Sequence, residues 1–336
     1  MIVKNESEML AGCLESVRAA AEEIIVVDTG SADCTMEIAE RCGARVLSAE
    51  WRDDYSAARN ISLRAAGQSW ILVLDADERI AAKDHGRLRQ LIDGPKAGYL
   101  FTQRHYGTPA HDISWHRCEG QYPDYEAGFE GFGMGELTRL FPNEPGITFS
   151  GIVYEFVEPS IRANTPYPIL RSHIPIHHYG NTAARRSERQ KDAYYHRLAK
   201  KKAELEASPQ AWMDLGTMAQ IVGELDEAEE ALRRFAASRP GDLRGLVRLA
   251  EVLAQKGKFT EAVDHFLQAL CVDNLDPLVH LKVGMLYLSL RRFIFAEAHL
   301  QRAAELCPGL VQAQHSLRAL EAARESSRIA VAVTSE

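Results

Sequence analysis

Asp75 and Asp77, one residue apart in Leu74-Asp75-Ala76-Asp77-Glu78, follow directly on the apolar run Trp70-Ile71-Leu72-Val73-Leu74. A run so uniformly apolar suits a strand buried on both faces of a parallel sheet, and ligands of open α/β sheets bind beyond the carboxyl ends of such strands. Carboxylates held at a half-buried tip are costly unless something positive pairs with them. A divalent cation carrying a phosphate ester meets that need, and oxygen ligands of this kind suit Mn²⁺ or Mg²⁺. The chemistry implied is that of an enzyme acting on an activated, phosphorylated donor held through its metal-bound phosphate.

Such a tip needs a scaffold. Ile2-Val3 is a stub of strand, and residues near Glu6 to Ala21 carry helical spacing at Met9, Leu10, Cys13, Leu14 and Val17. Ile24-Ile25-Val26-Val27 reads as a strand ending in Asp28, followed by Thr29-Gly30-Ser31 and a helix through Thr35, Ile38 and Ala39. Gly43 suits the left-handed stop of that helix, before the strand Ala44-Arg45-Val46-Leu47. A helical stretch from Ser56 to Ala66 carries Arg59 and Asn60. This alternation predicts a doubly wound, mainly parallel sheet. Between Tyr99 and Tyr179 the pattern weakens into aromatic, Gly- and Pro-rich segments, which predicts loops and short antiparallel strands. The very short first strand suggests that residues normally preceding Met1 are missing.

The chain of 336 residues suggests about two domains, and 46% hydrophobic with 26% charged residues is ordinary for globular proteins. A formal net charge of -8 argues against nucleic acid as the main partner. The six cysteines form no C-x-x-C pair, which points to reduced thiols and a cytoplasmic setting. No apolar run reaches the ~20 residues of a membrane span, and no signal-peptide pattern leads the chain.

The C-terminal third follows a different period. Leu215, Leu249 and Val283 recur at intervals of 34, as do Ala228, Ala262 and Ala296, and Leu225, Phe259 and Phe293. With Trp212, Gly216 and Pro240, these match the tetratricopeptide pattern, in which paired helices stack into a solenoid. Three repeats are predicted, at 209–242, 243–276 and 277–310, with a capping helix and tail over 311–336. Their groove suits a protein partner or acceptor. Residues 181–208, rich in Arg and Lys (Arg185, Arg186, Arg189, Lys191, Arg197, Lys200 to Lys202), read as a solvated helical linker. The same charges also suit a phosphate group or docking at an anionic membrane surface.

Four segments in order, Ile2-Val3-Lys4-Asn5-Glu6, Val26-Val27-Asp28-Thr29-Gly30-Ser31-Ala32-Asp33, Ala57-Ala58-Arg59-Asn60 and Leu74-Asp75-Ala76-Asp77-Glu78, resemble a family 2 glycosyltransferase of the GT-A fold. The resemblance covers roughly residues 1–180 and implies an α/β nucleotide-diphospho-sugar transferase domain ahead of the all-α solenoid. It further implies inverting transfer from a nucleotide-sugar donor, usually a UDP-sugar, to a glycan, lipid-linked or polypeptide acceptor. Asp28 then accepts from uracil or ribose, Arg59 meets the diphosphate with Asn60 beside it, Asp75 touches ribose and metal, and Asp77 is the direct metal ligand. Read as residues alone, the alternative for Asp28 is to cap its own turn, which Asp33 or Ser31 could equally do, and the alternative for Arg59 is a helix-face salt bridge.

An inverting transfer needs a carboxylate base on the acceptor side. Glu155 is the first candidate and Glu136 the second, with Glu126 and Asp124 more remote. Arg139-Leu140-Phe141-Pro142-Asn143 and Gly151-Ile152-Val153-Tyr154-Glu155 look like the family's R-L-F-R-N and G-x-[VI]-H-E segments, with Pro142 replacing a basic residue and Tyr154 a histidine. His177-His178-Tyr179-Gly180 resembles the family's closing H-Y-G. It makes His178 a candidate third metal ligand, against a merely packed histidine. His111, His116 and Cys118 lack a fourth ligand for zinc. Gly128 to Gly135, with Tyr122, Tyr125, Phe129 and Phe132 nearby, has the composition of an acceptor loop or of a plain surface loop. No Gly-rich phosphate loop or G-x-G-x-x-G follows the first strand, which disfavours nucleotidyltransferase and dinucleotide-dependent classes. The rival of another kind is a non-catalytic tetratricopeptide scaffold carrying a degenerate transferase domain.

Overall fold

The computed structural model describes residues 1–107, 115–180 and 189–333, which divide into two compact units, Met1–Lys191 and Asp192–Glu336. His111, Arg185 and Arg186 lie outside the described residues.

The first unit opens with β1 (Ile2–Val3), α1 (Leu10–Val17), β2 (Ile25–Asp28), α2 (Thr35–Arg41) and β3 (Arg45–Ser48). The three strands pair in parallel in the order β1-β2-β3. Val3, Leu10, Leu14, Val26, Ile38 and Ala39 form the apolar layer between this sheet and its helices. Gly43, with φ +80°, is the left-handed stop after α2.

α3 (Tyr55–Ala65) leads to β4 (Trp70–Leu72) and β5 (Glu78–Arg79), followed by α4 (His85–Asp93), β6 (Gly98–Gly107), β7 (His116–Arg117), α5 (Pro123–Glu126), β8 (Gly131–Pro142), α6 (Glu158–Asn164) and β9 (Ile169–His178). These strands form a second sheet, ordered β4-β8-β6-β9-β5 with β7 on β8. Among the described residues, β6 and β9 run parallel in it and the other pairings are antiparallel. The expectation of a mainly parallel sheet therefore holds for β1–β3 and is corrected for the rest. β4, expected inside a parallel sheet, pairs antiparallel with β8. The region expected to hold loops and short strands contributes strands of 10, 12 and 10 residues. In β8, Gly131, Gly133 and Gly135 interrupt the period, yet two of them admit neighbours where a side chain would not fit. A Cβ at Gly131 would lie 2.2 Å from the His116 carbonyl oxygen, and one at Gly135 would lie 2.6 Å from His105 Nε2.

One irregularity matters for the site. The β6–β8 register steps from Tyr99↔Leu140 to Leu100↔Thr138, so Arg139 is the extra residue of a β-bulge. Its carbonyl accepts from Val73 N at 2.7 Å, and its side chain is buried.

The second unit contains α7 (Arg189–Glu206), then α8 (Pro209–Val222), α9 (Leu225–Ser238), α10 (Leu243–Gln255), α11 (Phe259–Val272), α12 (Pro277–Ser289), α13 (Phe293–Leu306) and α14 (Val311–Val333). The period of 34 appears as helix pairs α8/α9, α10/α11 and α12/α13. The first helices of the pairs are capped by Ser208, Asp242 and Asp276, whose side chains accept backbone N–H groups. Ala228, Ala262 and Ala296, at matching positions of the second helices, are fully buried. α7 is bound to the repeats, for the buried Lys202 reaches Asp214 at 2.8 Å.

Candidate functional site

β2 ends in Asp28, whose Oδ2 accepts from Gly30 N and Ser31 N at 3.0 Å each. The turn-capping reading is thus met by one oxygen. The other, Oδ1, is buried without a hydrogen-bond partner among the described residues, an acceptor available to a ligand.

Past β4, Asp75 is gripped from two sides. Arg59 Nη2 donates to Oδ1 at 2.7 Å, and Arg139 Nη2 donates to Oδ2 at 2.8 Å. Arg139 also donates to Glu78 Oε1 at 2.7 Å, which Gln103 Nε2 meets as well. Glu78 Oε2 accepts from Asp75 N at 2.8 Å, and Cys13 Sγ donates to the Asp75 carbonyl at 3.2 Å, tying α1 to the strand tip. Burial opposes the charge on Asp75, but the guanidiniums of Arg59 and Arg139 overcome it and hold the carboxyl well below the usual range. Burial pushes Glu78 upward, with the charge of Asp75 adding to it.

Arg59 also reaches a second acid. Its Nε donates to Glu155 Oε1, so one side chain of α3 bridges the first candidate base and the strand tip. Its Nη1 is buried and unpartnered among the described residues. The loop carrying Glu155 is fastened to α3. Ser150 and Phe156 exchange backbone hydrogen bonds at 3.0 and 3.1 Å, and Tyr55 N donates to the Ile152 carbonyl at 3.0 Å. Tyr154, the residue before Glu155, sits at φ +50°, a conformation that costs energy outside glycine and aims the next side chain.

Asp77 lies beside His178, with Oδ2 and Nε2 3.7 Å apart and both side chains 18% exposed. That gap exceeds a hydrogen bond. Gly180 opens it: a Cβ there would fall 2.5 Å from Asp77 Oδ2 and 2.9 Å from His178 Nε2. A carboxylate and an imidazole converging where, among the described residues, glycine leaves room fit a divalent cation. On the ring's other side, His178 Nδ1 meets His105 Nδ1 at 3.0 Å.

Four of the candidate residues are engaged by other side chains or backbone groups of the protein. Each oxygen of Asp75 accepts from a guanidinium, Oδ1 from Arg59 and Oδ2 from Arg139; no group of three or more His, Cys, Asp or Glu suited to a metal exists among the described residues. The Asn60 amide clamps the Phe149 backbone, accepting from N at 2.8 Å and donating to O at 2.9 Å. Glu136 lies apart from the cluster, on a solvent-facing stretch of β8, paired with the exposed Arg171 at 3.0 Å. Glu126 is a buried structural carboxylate that accepts from Arg104, Gly120 N and Tyr122 N.

Sequence reasoning missed Arg139, Glu78, Gln103 and His105 as site residues. Arg139 and Glu78 stand inside segments that resemble the family. Gln103 and His105 are identified only by register, since β6 pairs with β9 so that His105 faces His178.

Residues 1–156 match the family described as glycosyl transferase family 2. A TPR repeat-containing protein of Synechococcus elongatus is 41% identical over 163 residues, 48% of this chain and 36% of that protein. The SPbeta prophage-derived glycosyltransferase SunS of Bacillus subtilis is 24% identical over 236 residues, 69% of this chain and 50% of that protein. An uncharacterized glycosyltransferase of Rickettsia conorii is 37% identical over 81 residues, 24% of this chain and 28% of that protein. The chain thus spans half or less of the length of these curated relatives. Among solved structures, MamA is similar at a TM-score of 0.38 and 19% identity, covering 42% of this chain and 82% of that one. Among the described residues, no helix is long and apolar enough to cross a membrane.

Proposed function

We propose, from the family 2 glycosyltransferase domain at residues 1–156, that the chain transfers a sugar from a nucleotide-diphosphate donor, UDP first among them, to an acceptor hydroxyl with inversion. The observation that carries this reading is the bridge Asp75–Arg59–Glu155 lying in one domain with the glycine-cleared gap between Asp77 and His178. The unpartnered Asp28 Oδ1 accepts from the base or ribose, and Arg59 Nη1 donates to a phosphate oxygen. Asp77 and His178 would hold Mn²⁺ or Mg²⁺, which when bound neutralises charge on the leaving diphosphate. Glu155 takes the acceptor proton as the acceptor oxygen bonds to the anomeric carbon, and the bond from that carbon to the diphosphate oxygen breaks with its electron pair. Asp75 takes no proton; fixed by two arginines, it orients Arg59. The acceptor is a glycan, a lipid-linked sugar or a polypeptide, and the repeats recruit a protein partner or that acceptor. Both parts of the chain act in the cytoplasm on this reading, with docking at a membrane surface compatible with the basic segment.

The test is nucleotide release from a panel of UDP- and other nucleotide-sugars, with Mn²⁺ and with EDTA. Metal-dependent release that falls roughly 100-fold or more in Asp77→Ala is expected. Undiminished activity in Asp77→Ala defeats the mechanism. No release from any donor returns the chain to the scaffold reading.

A further inference from the structure

We infer that His105 is a positioning residue that fixes the ring tautomer of His178 so that Nε2 is left with its lone pair beside Asp77. The inference rests on the metal-dependent reading above and adds to it a residue that no motif includes.

The argument is one of donors and acceptors. The Nδ1 atoms of His105 and His178 are 3.0 Å apart, a hydrogen-bond distance, so one carries the proton and the other accepts it. The rings meet edge to face, with centroids 4.7 Å apart and planes at 77°. His178 Nε2 stands 3.7 Å from Asp77 Oδ2, too far to donate to it, and the space between them is the one Gly180 keeps open. A cation in that space requires a lone pair on Nε2, which places the His178 proton on Nδ1 and makes His105 Nδ1 the acceptor. Histidines that bind metals are held this way by a partner to the opposite nitrogen.

The surroundings fix His105 in turn. It sits in the interior of β6, paired to His178 on β9, with β8 on its other side. Its Nε2 edge lies over Gly135, where a Cβ would come within 2.6 Å, so the ring occupies a seat that only glycine provides. Gln103, two residues earlier on the same strand, is bonded to Glu78, so alternate residues of β6 brace the two halves of the site.

Two measurements on the whole 336-residue chain test this. Histidine-labelled protein examined by nitrogen–proton NMR without metal reads the His178 tautomer directly. A proton on Nδ1 is expected, and a proton on Nε2 overturns the assignment. Mn²⁺ binding, followed by the paramagnetic resonance of the free ion, is then compared across variants. His105→Phe keeps a ring but loses the acceptor, and is expected to weaken Mn²⁺ binding about 10- to 100-fold. His105→Asn, whose side-chain oxygen substitutes for Nδ1, is expected to restore most of it. Equal Mn²⁺ affinity in wild type and His105→Phe overturns the role of His105 while leaving the metal site standing. Equal loss in both variants overturns it too, because a packing role does not distinguish them. Wild-type protein that binds no Mn²⁺ overturns the metal reading itself.

Discussion

The carboxylates of Asp75 and Glu155 share one guanidinium, that of Arg59, which is itself buried. Two acids far apart in sequence are thereby held by one helix residue. Arg59→Met removes the cation and leaves two carboxylates without it in a buried cluster. Breaking a buried pair in this way costs about 3–5 kcal/mol. A loss of that size in denaturant unfolding of the first unit is expected, with nucleotide release abolished. A loss below about 1 kcal/mol, the worth of a surface ion pair, would mean that solvent reaches the cluster.

Gly180→Ala separates the metal space from the fold. The added methyl carbon would lie 2.5 Å from Asp77 Oδ2 and 2.8 Å from His178 Cε1, inside the gap. The residue is not among the glycines of positive φ, so the backbone itself accepts alanine. Mn²⁺ affinity is expected to drop at least about tenfold, the scale of losing one metal-site contact, with thermal stability in EDTA little changed. Mn²⁺ titration followed by calorimetry checks it; unchanged affinity would move the cation elsewhere.

How much of this was legible in sequence follows from the range of each interaction. Asp28, Arg59, Asp75 and Asp77 stand in short local segments where strand tips and helix starts are read from neighbouring residues, and the structure brings Arg59 and Asp75 into contact. The repeats were legible because each residue is predicted by another 34 positions away. The contact of Asn60 with the Phe149 backbone was not legible, because Phe149 belongs to a loop with no periodic signal. The bulge that frees Arg139 was hidden for a similar reason: a bulge is a property of two strands in register, not of one.

In the second unit, Glu229 is nearly buried and meets three cations: Arg233 at 2.7 Å, Lys258 at 2.7 Å and Lys256. Burial alone would raise its pKa, but Lys256, Lys258 and Arg233 outweigh it and lower the group to about 2. The unfolded chain has the ordinary value near 4.3 and binds the proton first as pH falls. The stabilisation is therefore complete above about pH 4.3 and is lost as pH falls toward about 2. Hydrogen exchange in α9 and α11 should show Glu229→Gln faster than wild type at pH 7, after correction for intrinsic rates, and indistinguishable at pH 2. A difference that persists at pH 2 would assign the effect to shape and not to charge.

The helix pairs meet through small residues, and Gly216 tests how tightly. A Cβ there would lie 2.5 Å from Leu232 Cγ and 2.9 Å from Cδ2, and Gly284 stands in the same relation to Leu300 at 2.6 Å. Alanine in place of glycine favours a helix by about 1 kcal/mol, while overpacking a core costs about 1–3 kcal/mol. Leu232 is fully buried and has no room to swing away, so the clash prevails. Gly216→Ala is expected to destabilise the repeat unit by about 1 kcal/mol. In a Leu232→Ala background the clash is gone and only the helix propensity remains, so the same substitution should turn neutral or stabilising. The double-mutant cycle measures this coupling directly. Additive effects would mean that α8 and α9 separate to admit the methyl group, and that the solenoid tolerates a looser first pair than its buried residues imply.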